Sequence, residues 1–536
     1  MSLPLMRALK LRTCLALFVT LAPLTWCASR IYPGFDDAGN EILLKENGPN
    51  AIRHSLPDRP LVGWLGNQLM YSSHRVALGI TLQFAGWFLF GLTAALIWLE
   101  LFPEHPSYAP VSAALSVAPI LLKAQLATAM FVLPVNFSVI PVLTAGLLLA
   151  RYVRSTIKRP ALAVACAMLL TFAGSIMTEY GLLTSATISI LLVTLNWKNE
   201  QASRGRLFLS IAVLSGSALL AHLIYGRIAV AHPEFSGVTF TPPAKEVIAH
   251  WRVYGDRLLR AFFYSSVGAW AQGIGRMAAQ TAKGTTTLLA TLYTLAAGFI
   301  IAFCCRSTSG NPEIPARTWW RTAAALILTI TVALAPACLL APLLVGRDLH
   351  MEYLSTRYYF VAAPFAIALG IRLLLELTRP QFRFALVLGI GLLAGDAVAE
   401  HSREAYDYTR AMRQVGPLVE KYVRGSDKQT VILTSEFYAR DPEATYKATA
   451  ALPAELSRRV WVMWEKRVPV VLGHTSAESG RDCENPAVID RNMRTIIRKG
   501  EVGQLLWLQP TPGGGFRVEP YCLPGTVTPV TAIAAR

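Results

Sequence analysis

Apolar runs separated by short polar loops occupy most of residues 1–400. A helix needs ~20 consecutive apolar residues to cross the hydrocarbon core of a membrane, and most of these runs approach that length. The runs comprise residues 15–28, 76–100, 110–133, 137–153, 160–178, 181–197, 207–225, 285–305, 322–346, 357–376 and 383–399. The pattern predicts an all-α polytopic membrane bundle of about 11 transmembrane helices.

Two of the runs leave alternatives open. The first, residues 15–28, is short, so it is either a spanning helix or a cleaved signal peptide with a poor cleavage site at Trp26–Ser29. Both interpretations place the loop that follows it outside the cytoplasm. Residues 110–133 contain Lys123 in mid-run and are punctuated by prolines, which fits either one helix or two half-helices.

The basic residues of the short loops predict the orientation of the bundle. If the helices alternate from a cytoplasmic N-terminus, the short cytoplasmic loops hold most of the loop charge: Arg151, Arg154, Lys158 and Arg159; Lys198, Arg204 and Arg206; Arg306, Arg317 and Arg321; Arg379 and Arg383. The short outer loops hold little more than Arg347 and Arg357. Cytoplasmic loops are enriched in Lys and Arg, so this asymmetry predicts a cytoplasmic N-terminus and an extracytoplasmic C-terminus.

Three longer regions then face outward. The loop at residues 29–75 follows the first run, and residues 227–283 contain a stretch of mixed aromatic and basic residues typical of an interfacial amphipathic helix. The third region, residues 401–536, has the composition of a small soluble α/β domain. Its short β-branched and aromatic runs predict strands at TVILTS, RVWVMW, VPVVLG, QLLWLQ and FRVEPY, with a turn at TPGGG. We therefore predict a transmembrane domain at residues 1–400 and an extracytoplasmic domain at 401–536.

The composition excludes most soluble classes of protein. Hydrophobic residues make up 53% of the chain and charged residues 15%, against ~25% charged residues in a typical soluble domain. The net charge of +17 comes from basic residues at helix ends rather than from a basic stripe interleaved with aromatics, so we expect no nucleic-acid partner. Outside the cytoplasm, Cys483 and Cys522 could form a disulfide. No Cys/His spacing suggests a metal site.

The best candidate for chemistry lies in the polar loop Tyr32–Arg59, directly after the first run. This loop carries the adjacent carboxylates Asp36 and Asp37 at the mouth of the predicted bundle. Adjacent carboxylates repel each other, which favours a proton on one of them. The alternative is that Asp37 only caps a helix that begins near Ala38.

Three local patterns accompany this loop: FDDAGNEILL with DRPL at Asp58–Leu61, MTEYGLL at Met177–Leu183, and STRYYFVAAPFAIAL at Ser355–Leu369. Together with the predicted topology, they resemble the GT-C superfamily of membrane glycosyltransferases, which use polyprenyl-phosphate-linked sugars on the outer face of the membrane. MTEYGLL and STRYYFVAAPFAIAL resemble protein-mannosyltransferase-like members. An Asp-Asp pair also occurs in arabinosyl- and glucosyltransferase-like members, so the subfamily stays open.

The resemblance implies an inverting transferase and a role for each candidate residue. Asp36 or Asp37 would act as the base, Glu179 and Arg59 would position the acceptor, and Arg357 with Tyr358 would bind the donor phosphate. It implies a lipid, glycan or protein acceptor and a site on the extracytoplasmic side of the plasma (inner) membrane. It implies no cofactor, and it leaves open whether a divalent metal takes part. The plainer alternatives are a headgroup-level Glu179 with Tyr180 in the aromatic belt, and an Arg357 that only snorkels to the interface.

Two other classes compete with this interpretation. A lipid-linked glycan polymerase or ligase would carry catalytic bases in a large late outer loop, but the loop at residues 347–356 is short. A lipid or glycan transporter would favour paired inverted repeats. The chain shows no internal repeat.

Overall fold

The computed structural model describes the chain in separate stretches. They are residues 3–28, 76–121, 129–196, 203–230, 288–306, 319–331, 351–396, 398–399, 429–435, 470–475, 502–510 and 516–520. Asp36, Asp37, Arg59, Lys123, Cys483 and Cys522 lie outside them, as do the loop at residues 29–75 and most of the predicted outer loop at 227–283. The predictions made for these residues stay predictions.

Helices dominate the described stretches up to residue 399, and each overlaps one of the predicted apolar runs. In chain order they are α1 Leu3–Ala28, α2 Val76–Leu101, α3 Ala109–Leu121, α4 Ala129–Val153, α5 Pro160–Met177, α6 Glu179–Asn196, α7 Arg204–Val230, α8 Leu288–Cys304, α9 319–331, α10 Met351–Leu377 and α11 383–396. Short 3-10 turns, Pro106–Tyr108 and Pro380–Phe382, lead into α3 and α11. The predicted helical bundle is therefore observed.

Three of the described helices are long and apolar enough to cross a membrane: Phe84–Leu101 of α2, Pro160–Met177 of α5 and Arg204–Ile224 of α7. Their outward faces are apolar, with Leu169 of α5 64% exposed and Phe208 of α7 59% exposed. Exposed apolar faces of this kind are suited to lipid rather than to water. The protein is a membrane protein, and the prediction of about 11 spans is not confirmed.

Three predicted helix boundaries are wrong, and one of them is the start of α10, at Met351 rather than at residue 357. Helix α1 begins at Leu3 rather than near residue 15, and one of its faces packs against the bundle, where Tyr293 of α8 donates a 2.6 Å hydrogen bond to the carbonyl of Val19. Helix α4 begins at Ala129 and continues through Pro134, where the sequence pattern placed a boundary. Membrane helices tolerate proline because neighbouring groups satisfy the freed backbone carbonyl.

The second compact unit contains the described strands of the C-terminal part. They are β1 Gln429–Ser435, β2 Val470–Thr475, β3 Val502–Pro510 and β4 Phe516–Pro520, in the sheet order β2-β1-β3-β4. Strand β1 runs parallel to β2 and β3, and β4 runs antiparallel to β3. Four of the five predicted strands are thus observed, while the fifth and the intervening helices lie outside the described residues. A complete α/β domain and the domain limits stay predictions.

Polar contacts show which helix ends lie together. The Nη1 of Arg372 in α10 lies 3.1 Å from Glu104 Oε1 just after α2, and Arg151 in α4 pairs with Glu100 in α2. Arg206 in α7 donates to the carbonyl of Tyr152 in α4 at 3.3 Å. These contacts join the C-termini of α2, α4 and α10 to the N-terminus of α7, and we call this the arginine end of the bundle.

Two more contacts extend the arginine end. Thr322 in α9 donates to Glu376 in α10 at 3.4 Å, and Arg12 in α1 donates to the carbonyl of Arg306 after α8 at 3.0 Å. The helix ends gathered here are those that an alternating topology places on one side of the membrane. The geometry thus agrees with the predicted alternation, and which side is cytoplasmic stays a prediction.

Candidate functional site

Three of the predicted site residues lie on described helices, and we place them by their positions along those helices. Glu179 is the first residue of α6, while Arg357 and Tyr358 lie in the second turn of α10. Asp36, Asp37 and Arg59 are outside the described residues. The candidate site can therefore be built from α5, α6 and α10.

The α5–α6 junction consists of a single residue. Helix α5 ends at Met177, Thr178 is extended with φ −154° and ψ 165°, and α6 begins at Glu179. The Tyr180 N–H donates to Thr178 Oγ1 at 3.3 Å and the Gly181 N–H to the Thr178 carbonyl at 3.1 Å. Thr178 thus caps α6, as a threonine at this position commonly does. Glu179 occupies the first turn, where the helix dipole favours a negative charge.

Close backbone packing fixes this junction in place. A Cβ at Gly181 would lie 2.5 Å from the Gly174 carbonyl oxygen and 2.5 Å from Ser175 Cα. A Cβ at Gly174 would lie 2.4 Å from the carbonyl oxygen of Ser138 in α4, and Ser138 Oγ donates to the Gly174 carbonyl at 2.7 Å. Only glycine allows α4, α5 and α6 to approach this closely, a packing that is common between membrane helices.

The environment of Tyr180 differs from the aromatic-belt alternative. Its side chain is 1% exposed and packs in the bundle interior, so it does not face lipid at the interface. Around it, Thr184 and Ser185 donate to backbone carbonyls one turn earlier, at 2.7 and 2.9 Å. Within the described residues, Ser175 Oγ is buried without a hydrogen-bond partner. The start of α6 is a buried polar environment rather than a simple interfacial end.

Helix α10 places Arg357 at the end of the bundle opposite the arginine end. Arg357 precedes Arg372 by 15 residues on this helix, which corresponds to ~22 Å along its axis. Arg372 belongs to the arginine end through Glu104. The second turn of α10 therefore lies in the half of the bundle away from the ionic contacts.

Glu179 lies at that same end. The Ser138–Gly174 bond joins the first half of α4 to the C-terminal part of α5, whereas the C-terminus of α4 belongs to the arginine end. The α5–α6 junction is therefore on the opposite end, as Arg357 is. The structure thus brings the two predicted residues to one end of the bundle, which the sequence analysis expected to face outward.

The arginine end also contains a buried ionic network that the sequence patterns did not predict. Arg372 Nε donates to Glu376 Oε1 at 2.7 Å, and the side chains are 7% and 1% exposed. The Arg372 guanidinium also lies 5.2 Å from the ring centroid of Phe102. Its Nη1 lies near Glu104 Oε1 without the geometry of a hydrogen bond. The signal in the sequence was an Arg–Glu pair four residues apart in an apolar helix.

The turn between α2 and α3 lies beside this network and contributes Glu104 to it. Trp98 Nε1 donates to the carbonyl of His105 at 2.7 Å, and His105 is 5% exposed. Burial, followed by the charge of Arg372, lowers the pKa of His105, so its imidazole is neutral near pH 7. Burial raises the pKa of Tyr108, whose hydroxyl stays protonated.

The described residues contain no group of three or more His, Cys, Asp or Glu side chains that could hold a metal ion. The expectation that the protein works without a cofactor stays a prediction.

The fold and the junction define a membrane protein with a helical bundle and a separate sheet-containing unit. No protein-family profile matches this chain, and no curated protein matches it in sequence. Among solved structures, it is similar to the crystal structure of the Archaeoglobus fulgidus oligosaccharyltransferase in the apo form, with 14% identity and a TM-score of 0.35. The alignment covers 80% of this chain and 62% of that chain, so this chain spans less than two thirds of that protein's length. A similarity of this size assigns neither a fold family nor a function.

Proposed function

We propose that this protein is a membrane glycosyltransferase that moves a sugar from a polyprenyl-phosphate-linked donor to an acceptor on the outer face of the membrane. The observation that supports the proposal is the common position of Glu179 and Arg357. They lie at one end of the bundle, on helices that pack together, and away from the arginine end. A carboxylate and a guanidinium at one membrane face suit an acceptor hydroxyl and a donor phosphate, respectively.

The reaction assigns a task to each candidate residue. Asp36 or Asp37 takes the proton of the acceptor hydroxyl while its oxygen attacks the anomeric carbon with inversion. A new carbon–oxygen bond to the acceptor forms, the bond between the anomeric carbon and the phosphate oxygen breaks, and the electron pair leaves on the polyprenyl phosphate. Arg357 stabilises that phosphate with its planar fork, assisted by Tyr358. Glu179 and Arg59 orient the acceptor.

The proposal is tested by mass spectrometry of lipid and glycan extracts from a deletion strain complemented with variants of this chain. Wild type should restore one missing sugar, whereas Asp36→Asn and Asp37→Asn should insert normally and at least one of them should fail to restore it. Arg357→Ala should weaken donor binding, and Arg159→Ala, an exposed arginine in the α4–α5 loop, serves as its control. Full activity of both Asp variants would reject the assignment of this loop.

The same experiment separates the competing classes. A glycan of altered length rather than one missing sugar would favour a polymerase or ligase. An intact glycan profile in the deletion strain, or rescue by the double Asp variant, would favour a transporter.

A further inference from the structure

Arg383 at the arginine end is a buried cation without a described counter-ion. It is the first residue of α11 and is 6% exposed, and its backbone N–H donates to the carbonyl of Pro380. Its side-chain Nε is buried and has no hydrogen-bond partner among the described residues. A buried charge of this kind is costly unless an anion pairs with it.

The neighbouring charges do not supply that anion. Glu376, whose side chain is 1% exposed, pairs with Arg372 through its Oε1 and accepts from Thr322 through its Oε2. Glu104 is 48% exposed and lies against Arg372. Neither carboxylate forms an ion pair with Arg383 in the part of the chain that the structure describes.

Two neutral groups of the α2–α3 turn belong to the same end of the bundle. The charge of Arg383 is one cause of the lowered pKa of His105, and it opposes the raised pKa of Tyr108. The imidazole of His105 is uncharged near pH 7, and the Tyr108 hydroxyl is a protonated donor. The 3-10 turn Pro380–Phe382 continues directly into α11, and the dipole at the start of these turns favours an anion. The surroundings thus contribute positive potential.

Aromatic side chains set the depth of Arg383 in the membrane. Phe382 and Phe384, on either side of it in sequence, are 55% and 53% exposed, and Trp319 and Trp320 at the start of α9 are 50% and 52% exposed. Exposed aromatic residues gather at the headgroup level of a membrane. The most abundant anions at that depth are the phosphates of lipids.

We propose that Arg383, at the first turn of α11, binds a phosphate group, presented by an anionic phospholipid headgroup or by free phosphate. The guanidinium donates through its Nη atoms to phosphate oxygens, because its Nε is enclosed by protein. The site lies at the end of the bundle opposite Glu179 and Arg357. It is therefore independent of the proposed transfer reaction.

The test compares thermal unfolding of the delipidated protein in detergent with and without added phosphatidylglycerol. Wild type should gain stability with the lipid, while Arg383→Gln should lose this gain and unfold at or above the wild-type temperature when no lipid is added. The reason for the second effect is that glutamine removes the unpaired buried charge. Arg379→Gln, which removes an exposed arginine four residues earlier, should keep the full lipid effect.

Native mass spectrometry measures the affinity directly and distinguishes the two sources of phosphate. Loss of two charge-assisted hydrogen bonds should weaken binding of phosphatidylglycerol by about a hundredfold or more in Arg383→Gln. If inorganic phosphate alone gives the full stabilisation, the site takes free phosphate; if only the lipid does, it takes a headgroup.

If Arg383→Gln does not fold, Arg383→Lys keeps the charge without the fork and should bind the lipid more weakly than wild type. An equal lipid effect in wild type and in every recovered Arg383 variant would overturn the proposal.

Discussion

The contact at Gly181 permits a quantitative test of how the α5–α6 junction positions Glu179. In Gly181→Ala the new Cβ would lie 2.5 Å from the Gly174 carbonyl oxygen and from Ser175 Cα, whereas an ordinary contact begins at 3.4 Å. Both obstacles are backbone atoms, so the start of α6 must move away from α5 by about 0.9 Å, the difference between these two distances. A displacement of ~1 Å at a catalytic group can reduce the rate about 100-fold.

The stability of Gly181→Ala has two opposing contributions. Overpacking against backbone costs about 1–3 kcal/mol, while alanine in place of glycine in a helix gains up to about 1 kcal/mol. Gly216 in α7 is the matched control, because a Cβ there meets nothing within 4 Å and only the gain applies. We therefore expect Gly216→Ala to be more stable than Gly181→Ala by about 1–3 kcal/mol.

Two assays check this expectation. Thermal unfolding in detergent compares the two alanine variants, and the glycan profile of the complemented deletion strain reports activity. Gly181→Ala should be less stable and strongly impaired in transfer, whereas Gly216→Ala should retain activity. Equal unfolding temperatures for the two variants would refute the packing argument. A destabilised Gly181→Ala variant with full activity would instead show that the position of Glu179 does not matter for the reaction.

Three further predictions concern the arginine end. Arg372→Ala should cost about 3–5 kcal/mol because it removes one partner of the buried Arg372–Glu376 ion pair, whereas Arg151→Ala, which removes a 48%-exposed partner, should cost less than about 1 kcal/mol, both measured by thermal unfolding. Because the pKa of His105 is lowered, the unfolded chain binds a proton on this residue that the folded chain does not. The contribution of His105 to the free energy of unfolding should therefore be fully present above its ordinary pKa of 6.5 and decrease as the pH falls below that value. His105→Asn should flatten that decline in a pH series of unfolding temperatures, and an unchanged decline would contradict the role of His105. A cysteine at position 159, in a background without reactive native cysteines, should react with an impermeant maleimide only in inverted vesicles; reaction only in right-side-out vesicles would reverse the predicted orientation.

Local patterns in the sequence were sufficient to find the helices and most of the strands. An apolar run of membrane length can be recognised from consecutive residues alone, and every described helix overlaps one of these runs. The strands β1 to β4 follow β-branched and aromatic runs for the same reason. The boundary at Pro134 failed because a proline that breaks a helix in water is tolerated in a bundle, where tertiary contacts compensate for the lost hydrogen bond.

Long-range contacts could not be predicted in this way. Arg151 and Glu100 pair across 51 residues of sequence, and Arg372 reaches Glu104 from a helix that begins more than 200 residues later. Tyr180 was compatible with an interfacial position because its neighbours are polar, and only the packing of α4, α5 and α6 shows that it is buried. For the candidate site, the sequence indicated residues and a membrane side, while the structure adds the common end of Glu179 and Arg357.

Different interactions hold the helices together at the two ends of the bundle, and this difference bears on function. The arginine end is held by directional ionic contacts between helix termini, such as those of Arg372 and Arg151, which tie neighbouring helices to one another. The opposite end, which holds the α5–α6 junction, is held by close backbone packing at Gly174 and Gly181. Because α10 extends from one end to the other, the two arginines Arg357 and Arg372 are separated by most of the thickness of a membrane. If the basic loops are cytoplasmic, Arg357 and Glu179 lie on the outer side, where lipid-linked sugars would meet them. The orientation of the bundle thus decides whether the proposed transferase chemistry is possible.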